Sequence, residues 1–256
     1  MFDSNTATAL VVMARYPELG KTKTRLAHTL GEQETLGLYR AFLNDIAQHH
    51  AGRAAYTLCW AYTPTEVNYQ QLVATLAPEH ATAMRYFPQQ GAELGIRLHH
   101  AFDWTQQQGF AYTILIGSDS PQISREVIAT ARKALDEVDV VLGPCNDGGY
   151  YLLGMRTAHD VFSGIPMSTD VVTRMTIEAA QRQGLTVRLI DTLFDVDELP
   201  DLVRLAQLLR LDPTLAPVTA AHLKTMRSFH DNHASTTDNT SDSTSTLNLH
   251  RANQPL

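Results

Sequence analysis

Seven short runs dense in aliphatic and β-branched residues, at 8–14, 55–62, 82–87, 112–117, 138–143, 150–155 and 185–191, predict strands. Between them lie segments of helical period. The clearest is 32–48, where Leu36, Tyr39, Phe42, Leu43 and Ile46 recur on one face with polar residues between them. Further helices are expected at 66–76, 92–107, 124–137, 168–183, 199–210 and 218–229, with Ser168 capping the start of one and Gly184 standing just past its end. Two prolines in Leu211–Pro217 predict a turn before the last helix. Strand and helix alternate almost from end to end, the pattern of an α/β protein with a mostly parallel sheet flanked by helices.

From about Ser228 the apolar period stops and Ser, Thr, Asp, Asn and His dominate, a composition that buries too little apolar surface to order itself. The expected division is one domain over 1–227 and a disordered polar tail over 228–256. A chain of 256 residues can bury one sizeable core. Its net charge of −7 comes with no basic tract, which argues against a nucleic-acid groove. Cys59 and Cys145 lie far apart and form neither a disulfide framework nor a metal spacing. The start, MFDSNTATAL, lacks a basic segment ahead of an apolar stretch, and no run approaches the roughly 20 apolar residues that span a bilayer. The expectation is therefore cytoplasmic, with no membrane partner. His49, His50, His99 and His100 sit beside polar residues and are expected to be solvated, and His230 and His233 in the tail have nothing to anchor a metal.

Three segments pass from an apolar strand into a polar elbow, and an open α/β sheet binds its ligands at the carboxyl ends of its strands. The first elbow brings Lys21, Lys23 and Arg25, the second Asp119, and the third Asp147 with Gly148 and Gly149. Gly20-Lys21-Thr22 after a strand suggests a P-loop, but Arg15 stands where that motif needs a glycine to curve around phosphate. Spaced Lys and Arg bracketing a triphosphate fit better: Lys offers a mobile point charge and Arg a planar fork for two phosphate oxygens. Asp119 at a strand end suits Mg²⁺, which takes one or two carboxylates plus substrate phosphates; as Asp-Ser-Pro it is equally good turn chemistry. Asn146-Asp147-Gly148-Gly149 is a strong β-turn signal, and its glycines would also let a ligand approach the backbone. Cys145 beside it has no histidine at a telling position, which weakens a thiol-nucleophile reading.

As a set, Ala14-Arg15-Tyr16-Pro17, Gly20 through Leu26, Gly117-Ser118-Asp119-Ser120-Pro121, and Gly143-Pro144 followed by Asp147-Gly148-Gly149-Tyr150-Tyr151 resemble the radical-SAM/selenodomain-associated transferases of glycosyltransferase-A-like fold. The resemblance covers about residues 8–210, and the Lys-Thr-Arg-Leu element is also similar to phospholactate and phosphoenolpyruvate guanylyltransferases. Asp195 through Leu202 resembles a segment near the end of many nucleotidyltransferase domains, with its proline displaced by one place; it also reads simply as an acidic helix start.

The resemblance implies a single Rossmann-like sheet of the nucleotide-diphosphosugar transferase type. It implies a transferase with a nucleotide donor, a small-molecule acceptor and Mg²⁺ or Mn²⁺, and a homodimer is the assembly considered. Lys23, Arg25 and Asp119 would carry catalysis, and Ala14, Arg15, Lys21, Lys23, Arg25, Arg97 and Ser118 would hold the nucleotide. Asp147, Gly148, Gly149, Ser168 and Thr169 would meet the acceptor, with metal on Asp119 and Asp147. Ser118-Asp119-Ser120 carries one carboxylate where metal-dependent glycosyltransferases usually present Asp-x-Asp. That favours nucleotidyl transfer from an NTP to a small phosphorylated or acidic acceptor, with pyrophosphate release. Glycosyl transfer from an NDP-sugar is the alternative, and a non-catalytic nucleotide-binding module is the alternative of another class.

Overall fold

The computed structural model describes residues 7–227 and 229. The polar tail expected over 228–256, with His230 and His233, lies outside the described residues except for Phe229, which is buried.

The strand β1 (Thr8–Arg15) is the centre of the fold. Its residues Ala9 through Val12 have no exposed surface, because helices cover the sheet on both sides. Alternate residues feed two cores. Leu10 and Val12 pack with Leu58, Trp60, Ile114 and Ile116 on one face, while Ala9 and Val11 pack with Cys59, Ala61 and Leu115 on the other. The remaining strands are β2 (Thr57–Thr63), β3 (Arg85–Pro88), β4 (Tyr112–Gly117), β5 (Val140–Pro144), β6 (Tyr150–Met155) and β7 (Val187–Leu189). They form one seven-stranded sheet of order β3-β2-β1-β4-β6-β5-β7.

Only β6 runs against the others. The five residues between β5 and β6 are too few for a crossover and close a hairpin, with Cys145 N donating to Gly149 O at 2.8 Å. Everywhere else helices carry the chain back. The helices α1 (Thr24–Leu30), α2 (Glu32–His50), α3 (Tyr69–Leu76), α5 (Arg125–Ala134), α7 (Leu199–Leu211) and α8 (Pro217–Leu223) contribute to the first core. The second is covered by α4 (Leu94–Gln107) and α6 (Val172–Arg182). The chain moves outward through β1, β2 and β3, then returns to β4 on the other side of β1. That reversal makes the carboxyl edge between β1 and β4 the switch point of the sheet.

Several expectations shift. The stretch Thr24–Leu30, read only as part of a cationic elbow, forms α1, with Leu26 and Leu30 buried one turn apart. A 3₁₀ turn (Pro78–Ala83) takes the start of the strand expected from residue 82. The helix expected from Ser168 begins at Val172. Ser168 has φ 65°, a left-handed conformation outside an N-cap's usual extended backbone, and the cap position falls on Val171 without a side-chain bond. The turn ahead of α8 contains a single 3₁₀ turn (Pro213–Leu215). The helix α8 itself is anchored by Asp45 of α2, whose buried carboxylate accepts from Val218 N at 2.8 Å and Thr219 N at 2.7 Å. No described helix is long and apolar enough to cross a membrane.

His50 is also a correction, because it is 1% exposed rather than solvated. Its Nε2 lies 3.2 Å from the Ile123 carbonyl, which can only accept, so Nε2 carries the proton and Nδ1 accepts from the Tyr56 hydroxyl at 2.8 Å. Burial, with a smaller contribution from His49, lowers its pKa to about 4 from 6.5. The unfolded chain then binds the extra proton between those values, so this contribution to stability is complete above pH 6.5 and is lost as the pH falls toward 4. The loss by pH 4 should be about 3 kcal/mol. Urea denaturation at stepped pH should show that acid limb in the wild type and a flatter one in His50→Asn.

Candidate functional site

The carboxyl ends of β1, β4 and β5 lie on one edge of the sheet, so the three elbows meet there. Between them opens a cleft of two adjoining lobes, of about 400 and 450 Å³, which share Met13, Arg25, Leu94, Asp119 and Asp197 in their walls. The first lobe is cationic, with Arg15, Lys21, Lys23 and Arg25 around the end of β1. Its floor includes Ala14, Tyr39, Gln89 and Ser118. The second lobe is acidic, faced by Asp119, Asp147, Asp170, Asp195 and Asp197 over an apolar base that includes Leu98, Leu115 and Leu153.

Lys23 joins the two. Its side chain is 6% exposed, and Nζ lies 2.8 Å from Asp119 Oδ1 and 3.0 Å from Asp197 Oδ1. Burial alone would lower its pKa, but the two carboxylates outweigh that cost and hold it above the ordinary lysine value. Lys23 also has φ 44° at the start of α1, a left-handed conformation that costs a non-glycine residue on the order of 1–3 kcal/mol. The preceding loop is closed on itself: Thr22 Oγ1 donates to Glu18 O and accepts from Glu18 N, and Lys21 pairs with Glu18 at 2.8 Å.

Asp197 arrives from far along the chain. The segment carrying it is laced to the Asp119 elbow by Val196 N to Asp119 O at 3.0 Å, and by Gln122 Nε2 and Ser120 Oγ to Phe194 O. Asp201 then accepts from the backbone N–H groups of Asp197 and Glu198, fixing the entry to α7. Asp195 stands beside Asp147 and the Cys145 thiol, with ligating atoms of the three within 4.8 Å of one another. Burial, then the charges of Asp197 and Asp147, raise the Asp195 pKa to about 6. Burial, then Asp195 and Asp147, push the Cys145 thiol up to about 12, so it stays protonated.

Most of the expected residues line this cleft. Ser118 is buried at its floor, its hydroxyl 2.9 Å from that of Tyr39, which also donates to Arg15 O and accepts from Arg15 N. Asp147, Gly149, Ser168 and Thr169 face the second lobe. Asp119 pairs with Lys23, while Asp147 belongs to the cluster with Asp195.

Arg97 does not line either lobe; it donates to the carbonyls of Gly91 and Ala92 in its own loop. Gly148 departs from expectation in a more informative way, since the close backbone approach it permits is made by this chain. A Cβ at Gly148 would sit 2.0 Å from Asp170 O, and Gly148 O and Gly149 O accept from Thr173 N and Oγ1. The glycines therefore fasten the hairpin to the 170–173 loop.

Sequence reasoning passed over Tyr39, Gln89, Asp195 and Asp197. The acidic segment around Asp197 carried a signal, through its likeness to nucleotidyltransferase domain ends; Tyr39 and Gln89 were legible only as core and loop. Gly148→Ala combines φ 89° with the overlap on Asp170. It should lower stability by at least about 2 kcal/mol in urea denaturation, whereas Gly149→Ala, whose added atom meets only the Asp147 side chain, should cost less.

The model of the family described as "Uncharacterized protein conserved in bacteria (DUF2064)" matches residues 47–169. No curated protein matches the chain. Among solved structures, a candidate nucleotide-diphospho-sugar transferase from Desulfovibrio desulfuricans G20 is 30% identical, with a TM-score of 0.74, over 89% of this chain and 95% of that one. The 4-diphosphocytidyl-2C-methyl-D-erythritol synthase of Anaerococcus prevotii DSM 20548 shares the fold at 9% identity, with a TM-score of 0.51, over 81% of this chain and 97% of its own. The chain belongs to the DUF2064 family and has a nucleotide-diphosphosugar transferase-like fold.

Proposed function

We propose that this protein is a transferase that uses a nucleotide donor, and that it moves a nucleotidyl group from an NTP to a small acceptor. The observation that supports a nucleotide donor is the division of the cleft by charge: cations gather at the end of β1 and carboxylates at the ends of β4 and β5, with Lys23 and Arg25 between them; the single carboxylate of Ser118-Asp119-Ser120 is what favours nucleotidyl over glycosyl transfer. Phosphates suit the first side, where Arg25 and Lys21 are exposed and Lys23 stands at the boundary. A base reaching the floor of that lobe would meet Gln89. Its Nε2 donates to Ala14 O and Ala61 O, so Oε1 is the amide atom left to accept from a base.

Mg²⁺ or Mn²⁺ fits the second side. Carboxylate oxygens are the donors these hard cations prefer, and the pKa of Asp195, raised first by burial and then by the charges of Asp197 and Asp147, includes a carboxylate repulsion that a divalent cation would relieve. Asp119, Asp147, Asp195 and Asp197 are the residues that would hold it, and it would supply charge stabilisation at the transferring phosphate. In the transfer itself an acceptor oxygen attacks the α-phosphorus, the new O–P bond forms, and the bond to pyrophosphate breaks. Lys23 and Arg25 offset the charge that develops on the leaving phosphates. A phosphate acceptor carries no proton to remove, so no general base is needed for it; phosphorylated or acidic acceptors are thus the first to try. Ser168 and Thr169 would meet the acceptor from the far wall of the second lobe.

Glycosyl transfer is the second reading, and the description of the 30%-identical relative favours it. The same carboxylates would then serve an NDP leaving group, and the acceptor would be a hydroxyl.

Thermal stabilisation by a panel of NTPs and NDP-sugars with Mg²⁺ separates these readings. Ligand at 100 times its Kd should add about 2.7 kcal/mol. We expect an NTP to stabilise the wild type in a metal-dependent way and Asp119→Ala to lose most of the shift. Preference for an NDP-sugar would move the assignment to glycosyl transfer. Nucleotide binding that survives Asp119→Ala, with no turnover of any acceptor, would leave only a binding module.

A further inference from the structure

We infer that Lys23 is the built-in occupant of the cation position between Asp119 and Asp197, and that it is handed to the donor's phosphates only when a divalent cation takes that position. The inference rests on the nucleotide-dependent reading above and adds an order of events to it.

Three observations carry it. First, the ammonium sits on two carboxylates at 2.8 and 3.0 Å, with 6% of the side chain exposed, which is the arrangement of a bound cation rather than of a residue waiting for phosphate. Second, the neighbouring cations are placed differently. Lys21 is 59% exposed with Glu18 as its partner, and Arg25 is 68% exposed and only 3.8 Å from Asp197. Both are exposed to an incoming phosphate, and of the three Lys23 alone is withdrawn. Third, Lys23 is held in a strained left-handed conformation at the joint between the Glu18–Thr22 loop and α1. A residue there can re-aim its side chain through a small backbone change, and leaving φ 44° would release strain.

Occupation by Lys23 and by a divalent cation exclude each other electrostatically. Two cations on the same pair of carboxylates would lie within a few Å of one another in a half-buried site, where their repulsion is weakly screened. In the resting protein Lys23 therefore stays on the carboxylates, since its own buried ammonium would be costly without partners. Once a divalent cation is bound, Lys23 has lost its partners, and the adjoining cationic lobe is the nearest place for its charge to find new ones. Donor binding is thereby made dependent on metal through a residue that need not touch the metal.

The test is a lysine footprint, made practical because Lys21, Lys23, Lys133 and Lys224 are the only lysines in the chain. The full-length protein is acylated with a water-soluble amine reagent and read residue by residue by tandem mass spectrometry. Without metal, Lys23 should label at least about tenfold more slowly than Lys21. Mg²⁺ or Mn²⁺ alone, with no nucleotide, should bring it close to the Lys21 rate and leave Lys133 and Lys224 unchanged. Mn²⁺ binding is followed in parallel by water-proton relaxation. Absence of Mn²⁺ binding removes the metal reading on which the inference rests; Mn²⁺ binding with Lys23 still protected, or a Lys23 already reactive without metal, overturns the exchange itself. In Lys23→Met, which keeps the apolar stem, the occupant is gone, and Mn²⁺ affinity without nucleotide should rise by about tenfold. Lys21→Met removes the same charge from the same loop and should change it less than about twofold. Equal effects of the two substitutions would reduce Lys23 to a general electrostatic contribution and overturn the inference.

Discussion

The fold depends on the burial of β1 from both sides. A strand whose residues Ala9 through Val12 have no exposed surface needs helices on each face, and helices on each face require parallel neighbours joined by crossovers. Parallel neighbours end at one edge. That edge is where the chain must turn out of the sheet, so polar and charged residues that cannot stay between the layers collect there. The cleft thus follows from a requirement of the core. The first core alone brings together Trp60, Tyr39, Tyr69 and Phe42, each 2% exposed or less, and burying a side chain of that size contributes roughly 1.5–3 kcal/mol.

The antiparallel β6 turns this arrangement to use. Because β5 and β6 are joined by a hairpin rather than a helix, the Asp147 turn stays at the same edge as Asp119 and is not carried away over a face of the sheet. The hairpin in turn needs Gly148, where the 170–173 loop crosses within van der Waals distance and ties down the far wall of the acidic lobe. The segment from Phe194 to Asp197 completes the ring by bonding to the Asp119 elbow rather than to a strand. Five aspartates from four separate stretches of chain are held together by hydrogen bonds to main-chain carbonyls that do not depend on the charge of those aspartates.

Alternation of apolar runs and helical periods made the architecture legible: all seven strands were expected near where they lie, because each is short, apolar and bounded by polar residues. The errors have local causes. The helix α1 was hidden because only Leu26 and Leu30 of its seven residues are buried, so its charged residues read as a loop. Ser168 carries good capping chemistry, yet the crossing at Gly148 and Asp170 delays the helix until Val172. His50 looked solvated because its sequence neighbours are polar, while its partners Tyr56 and Ile123 lie elsewhere in the chain. In the site, Lys23, Arg25, Asp119 and Asp147 stood out as charges directly after strands. Asp195 and Asp197 precede a helix and stand well past the end of β7 rather than directly after a strand, so strand-end reasoning gave them no weight; Gln89 and Tyr39 act through hydrogen bonds that only the folded chain defines.

The opposed charges of the two lobes also constrain how any donor can lie. A nucleotide's phosphates are its only strongly charged part, and five carboxylates would repel them from the second lobe unless a cation intervened. Under the nucleotide-donor proposal the phosphates would run along Lys21 and Arg25, with the base toward the end of β1 and Gln89, and the reacting phosphate at the boundary where Asp119, Asp197 and Lys23 meet. The acceptor would be left with the second lobe. This orientation holds for nucleotidyl and glycosyl transfer alike, because it is set by the sign of the walls; the chemistry differs only in whether the α-phosphorus or a sugar carbon is brought to that boundary. Lys23 lines the first lobe, and its two carboxylate partners face both. Its ammonium balances the acidic side at rest and would match the charge of a donor on the other, so the cleft is neither an open basic patch nor an uncompensated acidic one.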